Sequence, residues 1–174
     1  MEPADENGVQ IRPFDGLPAD LLRATDAAFG SEARQNDLGI FVPLFESDRA
    51  LAAYDGERVV GTALAYSLTL TVPGGALPAA MVGDVGVLPT HRRRGIMRRL
   101  MRRQLDDIHQ RGESLAGLWA SEGPIYGRFG YGHHRHGSLQ VVTSSGAGTG
   151  GPPFRVGTRS EIVVLQLRAG PAVM

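Results

Sequence analysis

The 174-residue sequence predicts an α/β domain with a mixed, mostly antiparallel central sheet flanked by helices. The clearest observation is a β-hairpin signal, because two apolar runs surround the turn residues Asp55 and Gly56. A second observation is the helical spacing of apolar residues over residues 95–110, which lie between two strand-like segments. The resulting order of strand, helix, antiparallel meander and strand–helix–strand is typical of a mixed sheet.

The N-terminal half is predicted to begin with a strand, VQIRPF, and a helix that has Pro18 near its start. Residues 30–48 predict helical pieces and loop. The second arm of the hairpin extends over Arg58 to Val72, VPGGALP predicts a turn, and AMVGDVGV predicts another strand. Gly83 and Gly86 inside that strand indicate a bulge or a close approach of another backbone.

The C-terminal half contains the strongest helix pattern, with Gly112 as its predicted C-cap. One face of this helix carries the apolar residues Met97, Leu100, Met101, Leu105 and Ile108. The segment AGLWA predicts a buried strand, and SEGPIYGRF predicts a short helix that Ser121 caps and Gly130 ends. Two further strands, GSLQVV and SEIVVLQLR, flank a loop rich in Gly and Ser.

Composition excludes several classes of protein. The formal net charge is zero, which disfavours general nucleic-acid binding, and the absence of Cys excludes disulfides and thiolate metal sites. No apolar run approaches the 18 residues of a membrane span, and the acidic, polar start MEPADENGVQ does not resemble a signal peptide. These features predict a cytoplasmic protein that binds neither membrane nor nucleic acid.

The start of the strongest helix is unusually basic, since seven arginines lie between Arg92 and Arg103. The N-terminus of a helix already carries a partial positive charge, so these residues repel it unless an anion binds there. A strand, a loop containing Gly95 and a helix start together form a geometry suited to a pyrophosphate. Three arginines further along the chain are interpreted as a solvated helix face: Arg102, Arg103 and Arg111.

The block V-x-V-x-P-x-H-R-x-R-G resembles the acyl-CoA-binding motif of the Gcn5-related N-acetyltransferase (GNAT) superfamily. Arg92, Gly95 and Met97 occupy its key positions, although Met97 replaces the small residue that is usual there. Two further blocks, LTVPGG and ASEGPIYGRFGYG, resemble the Eis-type (enhanced intracellular survival) acetyltransferases of actinobacteria. The strong resemblance covers about residues 50–132 and implies the GNAT fold.

This resemblance implies an enzyme in which an amine attacks the thioester of acetyl-CoA directly. The backbone of Val85, Gly86 and Val87 would hydrogen-bond the pantetheine and the acetyl carbonyl. Ser121 and Glu122 would line the other side of the coenzyme cleft. The pyrophosphate would be held, mostly through backbone N–H groups, by Arg93, Arg94, Gly95, Ile96, Met97 and Arg98, and Arg92 would lie at the edge of this site.

Tyr126 corresponds to the general acid of the family, which protonates the departing thiolate. A phenol with a pKa near 10 is a weaker acid than a thiol, so this transfer is uphill by about 2 kcal/mol. The N-terminus of the short helix predicted at Ser121 is expected to reduce that gap by lowering the pKa of the phenol.

The acceptor is expected to be a small-molecule amine, aminoglycoside-like, or a protein lysine. Asp26 and Glu32, in the predicted N-terminal helices, are candidate acidic residues for the acceptor site, and no metal is expected. Eis-type proteins are more than twice as long and use a C-terminal carboxylate as general base. The terminal carboxylate of Met174 is not assumed to replace it.

The resemblance divides the chain into a GNAT domain, residues 1–145, and a segment, residues 146–174, that departs from the family pattern. A homo-oligomer is compatible with the family, but its form does not carry over because the family's hexamers use the additional domains. An alternative hypothesis is a catalytically impaired acyl-CoA-binding module from a truncated Eis-type protein. Binding of coenzyme without acetyl transfer would distinguish this alternative from the enzyme.

Overall fold

The computed structural model describes residues 8–31, 38–72, 74–120, 122–133 and 161–166. They fall into two compact units, of which the first combines the residues up to Tyr66 with Gly83–Asp107. The second unit combines Ser67–Val82 with the residues from Ile108 onward. The predicted boundary between residues 145 and 146 lies outside the described residues.

The first unit is built on an antiparallel arrangement of strands. Strand β1 pairs with β2, and β2 pairs with β3 with a register irregularity between Ala53 and Tyr54. In chain order its elements are β1 (Val9–Pro13), α1 (Pro18–Phe29), α2 (Leu38–Leu44), β2 (Ala50–Asp55), the first part of β3 (Arg58–Val72), the last part of β4 (Gly75–Val87) and most of α3 (Ile96–Gln110).

Two apolar clusters fill this unit because alternate residues of β2 point to opposite faces of the sheet. One cluster combines Leu51 and Ala53 of β2 with Ile96 and Leu100 of α3. The other combines Ala50, Ala52, Tyr54 and Leu64 with residues of the helices α1 and α2, namely Leu21, Leu22 and Phe41. The sheet is therefore flanked by helices, as the sequence predicts.

The second unit contains β5 (Leu115–Ala120), β6 (Gly132–His133) and β7 (Glu161–Gln166) together with the adjoining parts of β3 and β4. Strand β4 runs parallel to β5, with Ala79–Val82 in register with Leu115–Leu118. Strand β7 lies between β5 and β6 and is antiparallel to both. One parallel pair among antiparallel ones confirms the predicted mixed, mostly antiparallel sheet.

Most predicted elements are confirmed with small shifts of their ends. Gly112 has a left-handed backbone at the end of α3, as a C-cap requires. Strand β4 begins at Gly75, so the prediction of a turn over VPGGALP was wrong for most of that segment. Since β3 continues to Val72, only two residues remain for the connection. The predicted strand GSLQVV lies outside the described residues.

Candidate functional site

The strand segment that is predicted to hold the acyl group lies at the end of β4. The register between β4 and β5 covers Ala79–Val82, and residues 83–87 lie beyond it. Asp84, at the start of this segment, has a positive φ of 51°, which is uncommon for a residue with a side chain. The backbone at Asp84 thus departs from regular strand geometry next to Gly83, in the segment where the sequence predicts a bulge or a close approach of another backbone.

Gly86 allows a close approach between this segment and helix α1. A Cβ atom at Gly86 would lie only 2.8 Å from the Cβ atom of Ala28, which is less than real side chains tolerate. The carbonyl oxygen of Gly86 would in turn lie 3.1 Å from a Cβ atom at Gly61 of the neighbouring strand. Gly86 is thus required by packing, independently of any bound molecule.

The loop between β4 and α3 is shaped by two left-handed residues. A 3-10 turn over Pro89–His91 follows the strand, and then Arg93 has a φ of 65° and Gly95 a φ of 75°. Left-handed residues between ordinary neighbours turn successive N–H groups toward one side, which is a geometry that binds anions. The side chains of Arg93, Arg94 and Arg98 are exposed around these groups.

The side chains that flank this loop fix it to the rest of the first unit. The guanidinium of Arg92 donates to the carbonyl oxygens of Ala28 at 2.9 Å and Val87 at 3.3 Å. His91, which is nearly buried, lies with Nε2 at 3.1 Å from a carboxylate oxygen of Asp55. The arginine at the first motif position therefore contacts protein carbonyls, which gives it a structural role that the sequence does not indicate.

Two predicted coenzyme residues at the start of α3 differ in burial. Ile96 is buried in the core cluster of β2 and α3, whereas Met97 is half-buried. For Ile96, the backbone N–H is therefore the group that a ligand at the surface of the loop could contact. In the first turn of a helix backbone N–H groups have no intrahelical partner, so they can donate to an anion.

The predicted general acid lies in the second unit. Tyr126 joins two 3-10 turns, Gly123–Ile125 and Gly127–Phe129, and its side chain is 7% exposed. Its ring contacts that of Tyr131 edge to face, with the ring centroids 6.0 Å apart. Burial raises the pKa of the Tyr126 phenol above its usual value, and the nearby Glu122 carboxylate raises it further.

The expectation that a helix N-terminus lowers the pKa of Tyr126 was therefore wrong. Ser121 lies outside the described residues, and a three-residue 3-10 turn that follows Glu122 stands where the helix was predicted. Such a turn aligns too few peptide dipoles to oppose the cost of burying a phenolate. The buried environment keeps the phenol protonated, which preserves a proton for donation but makes the group a weaker acid.

Comparison with known proteins decides the family. Residues 18–134 match the family-wide sequence pattern described as an acetyltransferase (GNAT) domain. The chain belongs to the GNAT acetyltransferase family. The predicted resemblance to that superfamily is thereby confirmed.

Relatives of this GNAT chain include proteins of the Eis type. A Streptomyces avermitilis protein described as an uncharacterized N-acetyltransferase is 48% identical over 128 residues, covering 72% of this chain and 31% of that protein. N-acetyltransferase Eis of Mycobacterium tuberculosis is 48% identical over 94 residues, covering 51% of this chain and 23% of that protein. The resemblance to Eis-type acetyltransferases is therefore confirmed.

A solved structure shows the same fold. The crystal structure of Eis1 from Mycobacterium abscessus superposes with a TM-score of 0.62 at 41% identity, over 71% of this chain and 31% of that one. The chain thus spans about a third of the length of the Streptomyces avermitilis relative and of Eis1. Within the described residues, no helix combines the length and hydropathy that a membrane crossing requires.

The other candidate residues of this GNAT chain have different environments. Asp26 lies in α1 with only 2% of its surface exposed, so it is not a solvated carboxylate. Its backbone carbonyl accepts a hydrogen bond from Ser31 N–H at 3.0 Å. Glu122 is exposed, and Glu32 lies outside the described residues. The described residues contain no group of His, Asp and Glu side chains that is arranged to hold a metal ion.

Sequence reasoning missed a chain of polar contacts that connects α1 with Asp84 in β4. Thr25 and Thr62 are buried, and their hydroxyl oxygens are 3.0 Å apart. Thr62 donates to the carbonyl oxygen of Asp84 at 2.8 Å, and Tyr66 donates to the carboxylate of Asp84 at 2.7 Å. The signal in the sequence is the charged residue Asp84, which lies within a strand two positions before Gly86. In the apolar pattern, this charge appears only as an interruption.

Proposed function

We propose that this chain is an acetyl-CoA-dependent N-acetyltransferase that transfers the acetyl group to an amine by direct attack on the thioester. The observation that carries the proposal is the loop after β4, where the left-handed backbones of Arg93 and Gly95 precede the N-terminus of α3. This arrangement suits the pyrophosphate of a coenzyme. Membership of the GNAT family supports the same reaction.

The phosphates would be bound mainly by backbone groups. N–H groups of the loop and of the first turn of α3 would donate to phosphate oxygens, and the partial positive charge of the helix N-terminus would add to this. The exposed guanidinium groups of Arg93, Arg94 and Arg98 would neutralise the remaining charge. A bound pyrophosphate would relieve the repulsion between these arginines and the helix N-terminus.

The pantetheine arm would bind along residues 85–87, which lie beyond the register with β5. An extended ligand can add to such a strand edge through main-chain hydrogen bonds. A backbone N–H directed at the thioester oxygen would stabilise the negative charge that develops when the amine attacks. The nitrogen–carbon bond forms, the carbon–sulfur bond breaks, and the coenzyme leaves as a thiolate that requires a proton.

Tyr126 is the proposed donor of that proton. The raised pKa of its phenol keeps the proton on the residue at neutral pH. Because a buried thiolate is also destabilised by the loss of water, the same burial that weakens the acid raises the proton affinity of the leaving group. Burial of the thiolate therefore offsets, at least in part, the widening of the gap that burial of the phenol alone would cause.

The proposal is tested by two measurements on the full chain. Isothermal titration calorimetry with acetyl-CoA measures binding, and a thiol-release assay measures transfer to a panel of aminoglycosides, polyamines and lysine peptides. We expect binding together with thiol release that depends on the acceptor. Binding without release for any acceptor would favour the impaired coenzyme-binding module, and the absence of binding at millimolar coenzyme would refute both.

A further inference from the structure

We infer that Tyr131 is a positioning residue for the proton donor: its buried hydroxyl turns toward Tyr126 and stabilises the phenolate that remains when Tyr126 gives up its proton. This inference rests on the proposed function, because it takes Tyr126 to be the acid that protonates the departing thiolate. Both tyrosines belong to the second unit.

The hydroxyl of Tyr131 is buried without compensation. Tyr131 is 5% exposed, and among the residues that the structure describes its hydroxyl oxygen has no hydrogen-bond partner. A buried hydroxyl without a partner destabilises the folded state, and most buried polar side chains in proteins therefore have one. A phenylalanine at this position would keep the ring and avoid the cost. The oxygen of Tyr131 is thus not explained by folding.

The ring of Tyr131 contacts the ring of the proposed acid. The two ring centroids are 6.0 Å apart and the planes meet at 73°, which is the edge-to-face arrangement that aromatic pairs favour. Between the two residues the chain forms the 3-10 turn Gly127–Phe129 and then passes through Gly130, whose φ is 90°. This short connection keeps the two tyrosines together.

The hydroxyl of Tyr131 can respond to a charge on Tyr126, because no partner among the described residues fixes its direction. A hydroxyl proton rotates to suit the acceptor that is present. During transfer the O–H bond of Tyr126 breaks and an S–H bond forms on the coenzyme. Tyr126 then carries the negative charge until it regains a proton from water. A charged acceptor in buried surroundings attracts the Tyr131 hydroxyl more strongly than the neutral phenol does.

Tyr131 keeps its own proton during this step. Burial raises the pKa of the Tyr131 phenol, and a negative charge on Tyr126 raises it further. The Tyr131 hydroxyl therefore remains a donor at the moment when Tyr126 is ionised. Burial makes Tyr126 a weaker acid, whereas a hydroxyl that turns toward its phenolate acts in the opposite direction and lowers the free energy of proton transfer.

Tyr131→Phe removes the oxygen and keeps the ring. We expect the rate of thiol release in a single turnover to fall about 3- to 10-fold, since the proton is only partly transferred in the transition state. The dissociation constant of acetyl-CoA should not change, and the variant should be at least as stable as the wild-type chain in denaturant unfolding. A residue with a merely structural role would not combine slower release with undiminished stability.

Tyr54→Phe is the matched control. Tyr54 is also 5% exposed, but its hydroxyl donates to the carboxylate of Asp15 at 3.4 Å. This variant should lose stability and keep the wild-type rate of thiol release. If Tyr54→Phe slows thiol release as much as Tyr131→Phe does, the effect is not specific to the tyrosine beside the acid and the inference is overturned.

A double-mutant cycle shows whether Tyr131 acts through Tyr126. In the Tyr126→Phe chain no phenolate forms at position 126, so the addition of Tyr131→Phe should change the remaining rate by less than about 2-fold. The inference is overturned if the second substitution slows this chain as much as it slows the wild-type chain. A wild-type rate in Tyr131→Phe, or a loss of stability together with the loss of rate, overturns it as well.

A measurement without acetyl transfer separates the inference from the proposed function. Replacing the tyrosines by fluorotyrosine makes the phenols more acidic, and fluorine NMR then follows the ionisation of position 126, whose signal is identified by its absence in Tyr126→Phe. The midpoint should lie about one pH unit higher in Tyr131→Phe than in the chain that has both tyrosines. If this shift occurs in a chain that transfers no acetyl group, the contact stands and the proposed function fails. An unchanged or lower midpoint overturns the inference, whether or not the chain transfers acetyl groups.

Discussion

The loop after β4 and the tyrosine pair of the second unit, Tyr126 and Tyr131, differ in their exposure to solvent. The loop exposes charge: Arg93 and Arg94 are at the surface, and the backbone has been bent into left-handed conformations. The tyrosine pair hides polar groups: Tyr126 and Tyr131 are 7% and 5% exposed, and burial raises the pKa of both phenols. The site proposed to bind a polyanion is therefore exposed to water, whereas the site proposed to donate a proton is shielded from it.

The contrast explains which substitutions should be damaging. In the loop, the proposed ligand contacts belong mainly to the backbone, so a change in φ should matter more than the loss of one exposed charge. In the tyrosine pair, the contacts belong to side-chain atoms, so the loss of one oxygen should be sufficient to change the chemistry. The experiments below test this difference, beginning with the largest expected effect.

Tyr126→Phe should lower kcat by about 100-fold or more, because general acid catalysis commonly contributes that much. The dissociation constant of acetyl-CoA should change little, since the ring and its contact with Tyr131 remain. Steady-state thiol release and calorimetry measure the two quantities. Equal losses of turnover and of coenzyme binding would remove Tyr126 from the role of acid.

Gly95→Ala should weaken acetyl-CoA binding by about 10-fold, because a side chain at positive φ costs about 1–2 kcal/mol. Gly112→Ala is a matched control, since both glycines have a φ of 75° and a Cβ atom at either would meet no atom within 4 Å. Both variants should lose similar amounts of stability in thermal unfolding. If Gly112→Ala weakens coenzyme binding as much as Gly95→Ala does, the loop conformation is not specifically required.

Arg93→Gly should weaken acetyl-CoA binding by about 5-fold or less, since it removes one exposed charge but keeps the left-handed backbone available. The difference from the wild-type chain should shrink as salt is added, because exposed charges are screened. Arg102→Ala, on the exposed face of α3, should leave the affinity unchanged. A loss larger than that of Gly95→Ala would show that side chains rather than backbone bind the phosphates.

The stability of the chain should fall as the pH rises above about 10. The folded state holds the protons of Tyr126 and Tyr131 more tightly than the unfolded state does, because burial raises both pKa values. The stabilisation that these groups contribute is complete below the unfolded pKa near 10 and is lost as the pH rises toward the folded value. Denaturant unfolding between pH 8 and pH 11 measures the slope.

Tyr131→Phe provides the matching comparison. Among the described residues the Tyr131 hydroxyl has no hydrogen-bond partner although it is buried, so its removal should stabilise the chain by up to about 1 kcal/mol at pH 8. The alkaline slope should also become shallower. An unchanged slope would mean that the pKa of Tyr131 does not differ between the folded and the unfolded state.

The fold could be predicted largely from local patterns. The apolar runs around Asp55 and Gly56 predict the hairpin, and the spacing of Leu100, Met101 and Ile108 predicts the buried side of α3. These predictions succeed because burial of apolar side chains dominates the choice of secondary structure. The early start of β4 could not be predicted, since Gly74, Gly75 and the following Pro78 resemble a turn when read without their partner strand.

The parts of the candidate site that a local motif specifies could be predicted from the sequence. The contacts between residues that are distant in the chain could not. The block from Arg92 to Arg98 can be recognised in the sequence, but the contact of Arg92 with two carbonyls depends on how α1 packs against β4. The bond between Tyr66 and Asp84 joins residues on different strands, and Asp84 has a positive φ that no local pattern indicates. The pKa of Tyr126 likewise depends on burial, which no local pattern describes.

The guanidinium of Arg92 has a consequence for how two ligands influence each other. It joins the last turn of α1 at Ala28 to the end of β4 at Val87, the strand that is proposed to bind the acyl group, through one rigid group. If bound acetyl-CoA shifts the end of β4, it therefore also changes the conformational energy of α1. The amine acceptor is predicted to bind beside this helix. By thermodynamic linkage, the factor by which acetyl-CoA alters the affinity for the amine must equal the factor by which the amine alters the affinity for acetyl-CoA.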